Sequence, residues 1–158
     1  MKIFVINPGS TSTKIALFID EKPVWAAGAH HTADDLSEFH HVNEQYAYRK
    51  DFVLRLLAEA DIPLDFDAVI ASDDAMAVGA LKYVHQINKS IPEDVNVVGF
   101  NNSELCVCCN PEMSSIDSQE EELSEIAVDS LIKVLAGKSV RQKMEIPCKF
   151  IKRNTTQF

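Results

Sequence analysis

Apolar residues come in short runs punctuated by turn formers, and the period of those runs changes along the chain. Residues 2–6 (Lys-Ile-Phe-Val-Ile) predict a strand, 14–19 a second and 24–29 a third, with Asp20-Glu21-Lys22-Pro23 turning the chain between the last two. Three successive strands on short links predict an antiparallel meander. Residues 30–42 are polar and patternless. Asn43 is placed to cap a helix running to about Ala60, with Tyr46, Val53, Leu56, Leu57 and Ala60 inward, and Pro63 ends that segment.

The pattern changes again over residues 66–80. Ala68, Val69, Ile70 and Ala71 predict a buried strand. Ser72 or Asp73 then caps a helix carrying Ala77, Leu81, Val84 and Ile87 on one face. A strand with carboxylates at its carboxyl end and a helix behind it is half a βαβ unit, and α/β proteins hold ligands at such ends. Ile91-Pro92-Glu93-Asp94 turns the chain into a second buried strand over 95–100, which ends in Asn101-Asn102. Residues 103–109 predict a short helix broken by Asn110-Pro111, and 113–116 are extended. Residues 120–136 predict a helix with Leu123, Ile126, Ala127, Leu131, Val134 and Leu135 inward, stopped by Gly137. Its opening glutamates, Glu120, Glu121 and Glu122, suit the helix dipole and are read as end electrostatics rather than a site. A last strand over 145–151 precedes a polar tail.

The totals narrow the function classes. A chain of 158 residues, 46% hydrophobic and 25% charged, predicts a single globular α/β domain over 1–158. The balance of 24 acidic to 15 basic residues, a net charge of −9, argues against nucleic-acid and anionic-membrane partners, which require a basic face. No apolar run of about 18 residues and no charged-then-apolar leader is present, so a cytoplasmic location is expected. Cys106, Cys108, Cys109 and Cys148 lack the paired spacing of a zinc site and read as reduced thiols packed as small hydrophobes. The histidine pairs His30, His31 and His40, His41 read as solvated loop residues.

Two family resemblances divide the chain. Residues 1–66 resemble the N-terminus of the acetate/butyrate kinase family, through the opening strand and Asn7-Pro8-Gly9-Ser10-Thr11-Ser12-Thr13-Lys14, with further support at 31–36 and 44–51. The resemblance implies a first phosphate loop in which Asn7, Ser10, Ser12 and Lys14 hold phosphate or its metal. Hydroxyls and backbone N–H groups of a tight turn suit phosphate oxygens, and lysine adds charge. The same residues also read as a plain hairpin turn. Residues 67–158 resemble the C-terminal part of the effector-binding domain of lac-repressor-family regulators, a periplasmic-binding-protein-like fold. That match rests on residues 71–81, 91–95 and 97–102, on Pro111 and 114–116, and on Arg153-Asn154-Thr155-Thr156. Asn101 stands where that family usually carries an aspartate that grips sugar hydroxyls; asparagine keeps the acceptor and loses the charge.

The two segments share residues 67–71 and sum to β-β-β-α-β-α-β, a mixed α/β sheet of ribonuclease-H-like order 3-2-1-4-5, with an appended helix and strand. In that sheet the hairpin turn, Asp73 and Asp74, and Asn101 meet on one edge. Asp74 beside a phosphate turn could ligate Mg²⁺, which favours one or two carboxylates plus phosphate oxygens; alternatively Asp73 caps the helix and Asp74 sits in its favourable first turn. The expected function is a non-catalytic hybrid domain that binds a small phosphorylated or sugar-like ligand weakly, with Mg²⁺ and ATP, or another phosphate-bearing molecule, as the cofactors the edge would accept. Residual carboxylate kinase activity through residues 7–14 is the alternative, and an effector-binding fragment of a transcriptional regulator the third. Homo-oligomers are expected, because shortening both parents strands apolar surface.

Overall fold

The computed structural model describes residues 1–40, 42–63 and 65–158. His41, and the side chains of Asn43 and Tyr46, lie outside the described set, and with them the readings made above for those groups. β1 (Lys2–Pro8), β2 (Ser12–Ile19) and β3 (Lys22–His30) form the expected meander, with Asn7 opposite Lys14 and Lys14 opposite Gly28. α1 (Ala33–Leu36) is a single turn in the stretch that looked patternless. A capping box fixes it: the Asp35 N–H donates to Thr32 Oγ1, and the Asp35 carboxylate accepts the Thr32 N–H at 2.7 Å.

α2 (Tyr46–Glu59) follows a 3₁₀ turn (Val42–Gln45), with Gln45 as N-cap residue. β4 (Ala68–Ala71), α3 (Asp74–Gln86) and β5 (Asn96–Phe100) make the βαβ unit. α4 (Leu105–Cys108), β6 (Ser114–Asp117), α5 (Glu120–Leu135) and β7 (Lys149–Ile151) complete the chain.

All seven strands join in one sheet, ordered β3-β2-β1-β4-β5-β6-β7. The expected 3-2-1-4-5 order is present. β1 pairs in parallel with β4, Ile3 opposite Ala68 and Ile6 opposite Ala71, and β4 pairs in parallel with β5. β6 extends the sheet in parallel beside β5, and β7 closes it antiparallel.

Register sets Phe4, Val69 and Val97 in one row. α2 and α3 cover that same face, as two right-handed crossovers in one direction require. Leu57 of α2 packs with Phe4 and Ile15, and Phe66 stacks on Phe4 with ring centroids 4.5 Å apart. Ala77, Leu81 and Val84 of α3 pack with Ala71, Val97 and Met113. On the opposite face of the meander, Asn7, Lys14, Ala26, Gly28 and His30 are exposed.

Several expected inward positions are exposed instead. Ala60 and Ile87 are the C-cap residues of α2 and α3, where the backbone has left the helical path and carries the side chain off the buried face. α5 has no buried residue; of its six expected inward residues only Ile126 is partly covered. Helical periodicity marks an apolar face, but it does not supply the element that covers it. His31 departs the other way: it is buried, because the turn into α1 folds it under β2.

Candidate functional site

β1, β4, β5 and β6 run parallel, so their carboxyl ends share one edge of the sheet. The chain leaves β1 toward β2 and leaves β4 toward β5, so the two loops diverge there. Divergence of this kind is what opens ligand crevices in α/β sheets.

The first loop, residues 9–11, is fastened from behind. The Arg49 guanidinium on α2 donates to the Ser10 carbonyl at 2.8 Å, the Ser12 carbonyl at 2.9 Å and Thr13 Oγ1 at 3.2 Å. The His31 N–H donates to the Thr11 carbonyl at 2.8 Å, and the Gly9 N–H to the Ser12 carbonyl at 2.7 Å. With the Ser10 carbonyl turned to Arg49, planarity points the Thr11 N–H of that peptide the opposite way. Below the loop, the His31 ring bridges Thr13 Oγ1 at 2.8 Å and the Tyr48 hydroxyl at 3.1 Å. Burial, and then the Arg49 charge, hold the His31 pKa below 6.5, against the opposing pull of Asp35. Neither residue stood out as a site residue in the sequence. Arg49, a charged residue on an otherwise apolar helix pattern, was the one signal available; nothing in the polar stretch around His31 marked it as buried.

Asn7, Ser12 and Lys14 are brought together along an open trough of about 500 Å³ on the uncovered sheet face, with Gly28 and His30 on its far side. A Cβ on Gly28 would stand 3.3 Å from Lys14 Cγ and 2.8 Å from the Thr13 carbonyl, so the glycine gives the lysine stem its room. Ser10 sits exposed at the tip of the loop.

At the second loop Asp73 is the N-cap of α3; its Oδ1 accepts the Met76 N–H at 2.7 Å. Asp74 opens α3 in the first turn, as one of the two readings had it, but its carboxylate turns inward rather than toward the phosphate-type turn. It is only 2% exposed, its Oδ1 accepts from Ser115 Oγ at 2.7 Å, and its Oδ2 accepts from the Ser103 N–H at 2.6 Å. Both oxygens are spent on tying α3 to β6 and to the loop after β5. Burial and then Asp74 push the neighbouring Cys106 thiol up to about 11. A resident Mg²⁺ does not fit this edge: Asp74 faces inward, and among the described residues no group of three His, Cys, Asp or Glu converges on a metal position.

At the third loop Asn101 and Asn102 both hold positive φ, 89° and 53°, a region asparagine tolerates. Asn101 is exposed. Asn102 is fixed: its N–H donates to Ser115 Oγ at 3.1 Å, and its side-chain oxygen accepts from Arg153 at 2.8 Å. Arg153 also donates to the Met113 carbonyl at 2.8 Å, so the C-terminal tail reaches back to this edge. Among the described helices none is long and apolar enough to cross a membrane.

A family model for the periplasmic binding protein-like domain matches residues 22–156. A probable butyrate kinase of Phocaeicola vulgatus is 79% identical over 99 residues, 60% of this chain and 27% of that protein. An HTH-type transcriptional regulator of Lachnoclostridium phytofermentans is 40% identical over 95 residues, 60% of this chain and 28% of that protein. At 60% each, the two matches necessarily share part of the chain. The chain thus spans little more than a quarter of these curated relatives' length. Among solved structures, the periplasmic binding protein/LacI transcriptional regulator from Alkaliphilus metalliredigens complexed with D-xylulofuranose superposes with a TM-score of 0.53 at 27% identity. That superposition covers 60% of this chain and 36% of the other. The expected meeting of kinase-like and repressor-like sequence is therefore found, and by the match over residues 22–156 the chain belongs to the periplasmic binding protein-like domain family.

Proposed function

We propose that this chain is a non-catalytic, cytoplasmic small-molecule-binding domain whose ligand is a small sugar or sugar phosphate. The ligand spans the shared strand edge, with hydroxyls at Asp73 and Asn101 and phosphate at Ser10, Ser12, Lys14 and Asn7. The observation that carries this reading is that the loops after β1, β4 and β5 all open on one edge of a single sheet. The D-xylulofuranose bound by the structural relative supports a hydroxyl-rich ligand. Hydrogen bonds to charged groups contribute roughly 1.5–3 kcal/mol each. A few of them, made by exposed loops, imply dissociation constants of about a millimolar.

Kinase-type transfer to a carboxylate is the second reading, favoured by the 79% identity to a probable butyrate kinase. It requires several groups converging on the transferred phosphoryl, and one hairpin loop supplies few of them. Regulation through DNA contact is disfavoured by the net charge of −9.

Calorimetric titration with D-ribose, D-xylulose and ribose 5-phosphate tests the proposal. Ribose 5-phosphate is expected to bind more tightly than ribose. Lys14→Ala should remove that advantage and leave ribose unchanged, while Asn101→Ala should weaken both. No heat at about 10 mM ligand, or equal affinities in all variants, would overturn the reading.

A further inference from the structure

We propose that Arg49 and His31 are positioning residues for the phosphate end of the ligand, and that the loop over residues 9–11 holds an anion only while the His31 ring is neutral. This rests on phosphate lying at Asn7, Ser10, Ser12 and Lys14. His31 is buried, and Arg49 stands behind the loop with its guanidinium committed. Besides the Ser10, Ser12 and Thr13 oxygens it holds, Arg49 donates from Nε to Gln45 Oε1 at 2.9 Å. A planar fork on three loop acceptors fixes neighbouring peptides together, which the point charge of a lysine does not do.

The donors assign the hydrogen positions. Thr13 Oγ1 is buried and receives an Arg49 N–H, so its own hydrogen goes to His31 Nε2 at 2.8 Å. The ring proton then sits on Nδ1 and is donated to the Tyr48 hydroxyl oxygen at 3.1 Å. A proton arriving at Nε2 reverses the Thr13 hydroxyl. Its oxygen must then accept from the ring as well as from Arg49, and its hydrogen loses its buried acceptor.

The surroundings oppose the charged ring. Arg49 places a second cation beside it from α2, His30 on β3 adds another when protonated, and Phe52 of α2 stands edge-on to it with centroids 5.3 Å apart. Asp35 on α1 attracts the ring, but its carboxylate is exposed and already accepts from the Thr32 N–H and hydroxyl. Relief comes when Arg49 lets go of the loop carbonyls. Proton and anion therefore compete without sharing an atom. Plain charge attraction has the opposite sign, a cationic ring drawing the anion in, and water at the exposed loop screens it.

Inorganic sulfate is the probe, because it keeps its charge across the range where phosphate monoesters titrate. Amide NMR titrations at pH 7.5, 6.5 and 5.5 and constant ionic strength should show sulfate affinity at residues 9–12 falling severalfold toward acid. Without sulfate, the Gly9, Thr11 and His31 amides should shift with the midpoint of the His31 ring. Arg49→Lys keeps the charge and should weaken sulfate severalfold at pH 7.5, and His31→Gln should flatten the pH profile. Affinity that is equal or higher in acid, native affinity in Arg49→Lys, or loop amides that do not follow the ring would overturn the positioning role and leave the site standing. Absence of sulfate shifts at residues 9–12 at every pH would overturn the site itself, and the proposal with it.

Discussion

A Cβ atom on Gly99 would stand 2.1 Å from Oδ1 of Asp74. The carboxylate passes over the bare backbone of β5 to reach Ser115 on β6, so α3 is tied to a strand two places from the one it follows. Only a residue without a side chain leaves that path open. Gly99→Ala is therefore expected to destabilise the protein by about 2–4 kcal/mol in urea denaturation, through overpacking and the displaced buried hydrogen bond. Gly79→Ala, in mid-α3 with nothing within 4 Å of the added atom, should stabilise it by about 0.5–1 kcal/mol. Equal effects at the two sites would contradict the packing described.

The four thiols should separate by reactivity. Cys106 is buried and its thiol is pushed up to about 11, while Cys108 and Cys148 are exposed. Cys109 lies between: its thiol donates to the Leu105 carbonyl at 2.9 Å, and burial raises its pKa. Mass spectrometry after iodoacetamide treatment of the native protein at pH 8 should show Cys108 and Cys148 modified first, Cys109 slowly and Cys106 only on unfolding. Early labelling of Cys106 would place Asp74 in a wetter setting than its contacts imply.

His31 predicts a pH dependence of defined sign. Its folded pKa lies below 6.5, so as pH falls through 6.5 the unfolded chain takes up the proton first. The contribution of the neutral ring is complete above 6.5, is lost progressively below it, and is fully lost once the folded value is passed. Urea midpoints at pH 7.5, 6.5 and 5.5 should show the gap between the native chain and His31→Gln narrowing toward acid. A gap that widens would mean that the ring gains charge on folding.

The architecture was legible because its signals are local. Short apolar runs at 2–6, 14–19, 24–29, 68–71 and 95–100 encode strands, and right-handed crossovers leave few ways to arrange them. The candidate edge was half legible. Asp73 and Asn101 lie where strand ends predict, whereas the inward turn of Asp74 depends on Gly99 and Ser115, residues 25 and 41 positions away that no spacing rule connects to it. Likewise Arg49 read as one polar residue on a helix until the meander folded over it, and Arg153 reaches the edge through the tail. The exposed face of α5 was the plainest departure, since a periodic pattern is silent about what lies opposite.

A single seven-stranded sheet predicts one unfolding event. Trp25, the one tryptophan in the sequence, sits on β3 and packs beside Phe4 and Ile15, and α3 lies beyond the β1–β4 seam. Tryptophan fluorescence and far-UV circular dichroism should therefore give coincident urea transitions, as for one cooperative domain. Two separated midpoints would divide the chain at that seam.

The loops after β1, β4 and β5 are expected to serve a single ligand. Amide NMR during titration with ribose 5-phosphate reads this directly. Saturable shifts are expected together at residues 9–12, 72–73 and 101–102, with a common dissociation constant of about a millimolar. Shifts confined to one of these loops, different midpoints among them, or none at 10 mM ligand would contradict it.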